Sequence, residues 1–345
     1  IFVMANFLKR GLILTIFAVI STMLFSPLSA QPTEAIVHLA EVVPLLRGIG
    51  SVAWLPDSLK LMVAGRNNIW HYTLGGEIPD AFEAESLPHF EIIKWIIWLS
   101  PEEFLVGGFL QSAIASDEGA IARINTNAWE ITDSWAKNSI GVWALALNRR
   151  ENWVAEGTAL GNGRIYDLNN QTYISHFLPN YHKAILDLAW HEDTSYLYVV
   201  GEDGLYIWDV PNATLIAQFQ GIASTLAISP AQDKLLWPNY PNTEDSNAPQ
   251  ATLFTIEDGL LVNPQLIDVG GYSIEWHPRC NNIVAAKSSD LITRIWDLET
   301  HTIIASMGED RPWGLEDGVK RNDLLVQGAL DWDTSGRYLA EVDVR

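Results

Sequence analysis

The chain repeats itself. A short alternating strand, ending in an aromatic or aliphatic residue and broken by a polar turn, occurs seven times. The copies are SVAWLPD (51–57), WIIWLSP (95–101), WALALNRRE (143–151), LDLAWHED (186–193), STLAISP (224–230), YSIEWHP (272–278) and GALDWDTSG (328–336). Their anchor residues, Trp54, Trp98, Leu147, Trp190, Ile228, Trp276 and Trp332, are 44, 49, 43, 38, 48 and 56 residues apart. This period constrains the fold more than any single motif does. Each unit is one supersecondary element that can bury its faces only against its neighbours.

Within a unit the pattern continues as short apolar runs between turn residues. A second strand is expected at 61–64, 104–106, 153–155, 197–200, 235–237, 283–286 and 338–342. A third is expected at 68–72, 120–124, 164–168, 205–210, 251–256 and 291–298, and a fourth at 214–219 and 302–306. About four strands per 40–45 residues is the content of a propeller blade. The 15 Trp fit this reading, because a wedge-filling side chain is copied from unit to unit.

Two stretches carry the pattern best: GEDGLYIWDV (201–210) and LITRIWDLETHTIIASM (291–307), whose Trp-Asp pairs lie 88 residues apart, two periods of 44. Here the chain resembles the WD40-repeat family. GRIYDL (163–168) is similar with Tyr in the Trp position, Trp70-His71 keeps only the Trp, and the second and fifth units keep neither. The family's Gly-His dipeptide is not evident. The resemblance implies an all-β, seven-bladed WD40-like β-propeller over residues 31–345. It also implies structural roles for Asp203, Trp208, Asp209, Trp296 and Asp297, with Asp203, Trp208 and His182 joined in a buried hydrogen-bond set.

Residues 1–30 read as a signal peptide. Lys9-Arg10 precedes an uncharged apolar run at 11–25, and SPLSA (26–30) ends in a small residue, so cleavage is expected after Ala30. The run is short for a membrane-spanning helix; an uncleaved anchor is the alternative. At the other end, the seventh unit has only two strands, at 330–332 and 338–344. AIVHLAEVV (35–43) is the expected lender of a third strand, which leaves the last blade incomplete.

The composition narrows the function. Formal charge is −21, and an acidic chain repels phosphate backbones, so no nucleic-acid partner is expected. The single cysteine, Cys280, excludes an intrachain disulfide and a Cys-based metal site. It reads as a buried or half-buried thiol. The eight His are scattered, and no phosphate-binding, metalloprotease or nucleophile-elbow motif occurs, so no catalytic, cofactor or metal residue is assigned. The acidic loops do not follow a Ca²⁺-binding spacing.

Three stretches break the repeat, at 111–119, 238–250 and 307–323; in the third, Arg311 and Trp313 form a candidate interaction loop. The expectation is a non-catalytic, secreted or periplasmic scaffold for a protein partner, touching membrane only if its N-terminal segment stays uncleaved. The alternatives are a hydrolase-like or quinoprotein-like propeller enzyme with a site in the central channel, and a membrane-anchored sensor domain. For the enzyme, the inner-strand ends are mostly apolar, with Asp187, Glu275 and Asp331 as exceptions.

Overall fold

A computed structural model of the chain describes residues 16–23, 37–45, 50–65, 68–74, 82–83, 90–110, 119–137, 141–179, 181–238, 251–288, 292–308 and 330–344. Among these, all regular structure is strand. Six blades are built from four consecutive antiparallel strands each. Blade 1 is Ser51–Trp54, Lys60–Ala64, Asn68–Thr73 and Phe82–Glu83; blade 2 is Phe90–Ser100, Glu103–Leu110, Gly119–Asn125 and Glu130–Lys137. Blade 3 is Ala144–Asn148, Trp153–Gly157, Gly163–Asp167 and Thr172–Phe177; blade 4 is Ile185–His191, Tyr196–Gly201, Gly204–Asp209 and Thr214–Gln220. Blade 5 is Ala227–Ile228, Lys234–Pro238, Ala251–Glu257 and Leu260–Ile267; blade 6 is Ser273–Trp276, Ile283–Lys287, Thr293–Asp297 and Thr302–Met307. The all-β propeller expectation holds, and every expected second and third strand is found.

A further four-stranded sheet, the closing sheet, joins both ends of the chain. From inside to outside its order is Leu330–Trp332, Tyr338–Val344, Ile16–Met23 and Val37–Leu45. Its inner strand packs between those of blade 6 and blade 1. The expectation of an incomplete last blade is therefore corrected. The lender at 35–43 takes part as foreseen, but the chain's first segment supplies two strands rather than one, so no position is empty. Strand Ile16–Met23 lies inside the apolar run read as a targeting segment and is paired on both sides. Pairing in the sheet and removal by cleavage are mutually exclusive fates for these residues. The cleavage point itself lies outside the described residues.

The anchors do what a wedge position requires. Trp54, Trp98, Trp190, Trp276 and Trp332 are all 5% exposed or less. Truncating such a side chain to Ala costs about 3–5 kcal/mol. Two anchors also tie neighbouring blades: the Trp54 indole N–H donates to the Asp331 carbonyl (3.1 Å) and that of Trp190 to the Ala146 carbonyl (3.2 Å). Both reach the residue just before the preceding anchor.

The outer strands are edges, and edges invite pairing with other chains. Blades 3, 4 and 6 each carry a β-bulge at the same place, where Ile174, Ile216 and Ile304 are passed over in the ladder. A bulge twists the edge and interrupts its row of free donors and acceptors.

Antiparallel order gives the propeller two unlike rims. The turns joining first to second and third to fourth strands all fall on one, the hairpin rim. The second-to-third connections and the blade-to-blade crossings fall on the other, the connection rim. On the hairpin rim the turns of successive blades are hydrogen-bonded together. Arg150 meets Asp193 (3.2 Å), Glu192 N–H donates to Gln232 (2.8 Å), and Asn281 donates to Asp233 (2.9 Å). Arg279 then donates to the Thr334 carbonyl (2.9 Å), and Thr334 donates to Asp57 (3.1 Å). This belt runs from blade 3 through the closing sheet to blade 1. The three breaks in the repeat all begin at strand ends on the connection rim.

Candidate functional site

The Trp-Asp pairs resolve into two jobs. Asp209 ends a third strand and caps the turn after it, accepting from Asn212 N–H (2.9 Å) and Asn212 Nδ2 (2.8 Å). Asp297 accepts from Glu299 N–H (2.9 Å) and Thr300 N–H (3.4 Å), and Asp167 accepts from Asn169 and Asn170 in the Tyr-bearing copy. This is the Asx-turn chemistry that makes Asp a turn residue. Trp208 is buried in the same cluster as the anchor Trp190, and Trp296 is half-buried. Neither indole N–H has an acceptor among the described residues. In blade 3, Tyr166 fills the Trp position, stacks on Trp135 (4.3 Å between centroids) and donates to Asp133 (3.0 Å).

Asp203 has different partners from those the resemblance implies. It accepts from the hydroxyls of Tyr181 and Tyr206, each at 2.7 Å, and from the Lys183 ammonium at 2.6 Å; Trp208 and His182 take no part. Burial alone would raise its carboxyl, but these three donors and the Lys183 charge hold it at about 2. Tyr181 and Lys183 come from the crossing into blade 4, so the clasp pins that crossing to the blade.

The clasp is the centre of a built ridge on the connection rim. At one end, the turn holding Leu160 is fixed by Asn162 N–H to Thr158 Oγ1 (3.1 Å) and Ile185 N–H to the Thr158 carbonyl (3.0 Å). Gly161 has φ +80°, and a Cβ there would sit 2.0 Å from the Tyr181 carbonyl oxygen, so the turn and the clasp touch. At the other end, Gly221 N–H donates to the Asp203 carbonyl (3.3 Å). Ile222 follows. Leu160 is 63% and Ile222 48% exposed, Glu202 is exposed between them, and the Lys183 side chain is half exposed. Two aliphatic side chains are thus presented to solvent on backbone that is held in place.

The second cluster lines the axis. Asp187 is buried and caps the inner strand of blade 5, accepting from Thr225 Oγ1 (2.7 Å) and Leu226 N–H (2.9 Å). That inner strand is only Ala227–Ile228, so the carboxylate takes the place of a ladder partner. Asp331 caps blade 1 in the same way, accepting from Trp54 N–H (2.5 Å). Glu275 is half-buried and has no hydrogen bond among the described residues. Burial pushes all three carboxyls up: Asp331 to about 7, and Glu275 well above the usual range with added repulsion from Asp331 and Asp187. Lys94 donates to the Trp143 carbonyl (3.1 Å), and burial lowers its ammonium to about 8 against the pull of Asp187.

Cys280 is a half-buried free thiol, raised by burial. Neighbouring His277 directs its imidazole to the Gly336 carbonyl and the Arg279 N–H instead. No group of three or more His, Cys, Asp or Glu among the described residues is placed to hold a metal ion. Arg311 and Trp313 lie outside the described residues. Sequence reasoning noted the axial acids as exceptions but missed the clasp and the ridge. Tyr181 and Lys183 fall between repeat units, where a period gives no guidance. Of the ridge, only Asp203 was singled out from the sequence. No family model matches the chain, and no curated protein matches it.

Proposed function

We propose that the protein is a seven-bladed, WD40-like propeller, the closing sheet counting as the seventh blade. In this reading it acts without catalysis, as an exported scaffold for a protein partner, with its own N-terminal segment, holding Ile16–Met23, retained rather than cleaved. The observation that carries the proposal is the ridge from Leu160 to Ile222. Exposed aliphatic side chains on hydrogen-bonded backbone favour an interface, since little entropy is lost when they are covered. The hairpin rim supports the same choice of face, because several of its turns are already tied to one another in the belt. The acidic surface favours a partner with basic residues around its apolar contacts. The enzyme alternative draws on the axial acids, but two of the three are committed to capping the next blade.

The test has two arms. A partner is captured from the exported fraction of the native host, purified, and its binding measured directly. Leu160→Asp with Ile222→Asp should weaken that binding by about tenfold or more, while Leu59→Asp on the hairpin rim leaves it unchanged. Equal affinity for the connection-rim variant would sink the choice of face. Failure of every purified candidate to bind would sink the scaffold reading.

A further inference from the structure

Lys287 stands where other blades place a small residue. It ends the second strand of blade 6, opposite Ser273, and the residues in the same place in blades 1, 3 and 4 are Ala64, Gly157 and Gly201. Its side chain and that of Glu341, on strand Tyr338–Val344 of the closing sheet, are each 2% exposed. The ammonium donates to Glu341 Oε1 and to the Val342 carbonyl, both at 2.5 Å. Glu156, the other fully buried acid in an ion pair, meets Arg164 of its own blade, so among the described residues only the seam between blade 6 and the closing sheet is bridged by a buried pair.

The inner strand of the closing sheet, Leu330–Trp332, is three residues long, and its ladder with Tyr338–Val344 ends at Leu330 opposite Glu341. On the outer side the ladder continues: Val342, Asp343 and Val344 pair with Ala18, Phe17 and Ile16. Among the described residues, the closing strand thus runs on past its inner partner while still carrying the chain's first segment. At that point Lys287 supplies a donor to the Val342 carbonyl. An ammonium buried alone would be very costly, and Glu341 offsets its charge. Alternation brings the acid there. Leu339 is buried in one cluster with Ile283 and Ala285 of blade 6, Ala340 and Val342 in another with Val52 and Trp54 of blade 1, and Glu341 falls on the Leu339 side. Blade 5 meets a similar shortage in a similar way, since its two-residue inner strand is capped by Asp187 of the blade before it.

We propose that Lys287 is the latch of the ring: it holds Tyr338–Val344 where the inner strand runs out, and so keeps in place the edge on which Ile16–Met23 is seated. Glu341 is the counter-charge that lets the latch be buried. The ladder to Ile16–Met23 joins the two ends of the chain, with no turn to hold its strands together. In the order of the sheet, Val37–Leu45 lies outside Ile16–Met23 and pairs with it alone, so a frayed acceptor strand would release both together. This holds for the chain with its N-terminal segment retained, the form proposed above.

Hydrogen exchange of the full chain tests the latch, with the presence of residues 16–23 established first by intact mass. Lys287→Met combined with Glu341→Leu removes both charges and nearly keeps their volume, so no lone buried charge is left behind. The melting midpoint should stay within about 3 °C of the parent. Peptides covering 16–23 and 338–344 should nonetheless lose protection by about tenfold or more, the size expected for one charge-assisted hydrogen bond, while Tyr196–Gly201 of blade 4 keeps its rate. Unchanged protection in either peptide, an equal loss at Tyr196–Gly201, or a double variant that does not fold would each overturn the assignment.

Discussion

Asp203 shows how a single carboxylate can hold a surface. Its three donors come from two segments, and removing it leaves two tyrosine hydroxyls and an ammonium without their acceptor. Asp203→Ala should cost about 1–3 kcal/mol, read as a lower urea midpoint at neutral pH. Its carboxyl is held at about 2, below the ordinary aspartate value of 3.8. Its contribution is therefore present above the ordinary value and lost as pH falls towards about 2. The gap between wild type and variant should close on acidification; a gap that stays constant down to that pH would show that the clasp contributes nothing electrostatic. The residue was singled out in the sequence through the resemblance carried by GEDGLYIWDV (201–210). The partners were not, because hydroxyl and ammonium groups on an aperiodic crossing leave no pattern to read.

The hairpin is the unit in which the repeat is written. The turns between third and fourth strands end on a residue with positive φ in several blades: Trp129 at 52°, Gln171 at 52°, Ala213 at 51° and His301 at 57°. None is glycine, although an L residue is strained there by about 1–2 kcal/mol. The preceding Asp or Asn cap supplies the compensation in each: Asn125, Asp167, Asp209 and Asp297. This accounts physically for the persistence of the Asp after the Trp. Ala213 is exposed, so Ala213→Gly removes strain without removing packing. It should raise stability by about 0.5–1 kcal/mol, seen as a higher denaturation midpoint with unchanged slope. A lower midpoint would mean that the turn is not strained. Strand positions were legible as short apolar runs between turn residues, because strands away from the outer edge are buried on both faces, as in Ser51–Trp54, Gly204–Asp209 and Ile283–Lys287. Outer strands were harder to read, and four of the six in blades 1 to 6 were not foreseen. They are edges with one face in solvent, so polar residues enter them freely, as in Glu130–Lys137 and Leu260–Ile267, and the apolar run is diluted.

At the scale of the whole molecule, the sequence spoke most clearly about the recurrence of a four-stranded unit and least clearly about how the ring shuts. The period counts anchors, and all seven anchors were visible. It could not indicate that a segment with the composition of a targeting peptide pairs with the last strand, because hydrophobicity alone does not separate a strand from an export signal. The two rims follow from strand order once a four-stranded unit is accepted, yet their different chemistry emerges only from side chains that meet between blades. That difference governs how such a ring can grow. A flexible insert of about ten glycine and serine residues between Pro238 and Ala251 adds chain where two strands already part, and loop length costs little. The same insert between Asp193 and Thr194 separates Arg150 from its acceptor and moves Gln232 away from Glu192, parting two seams at once. The first protein should melt within a degree or so of the parent and the second several degrees lower, by calorimetry. New sequence can enter this ring from one side only.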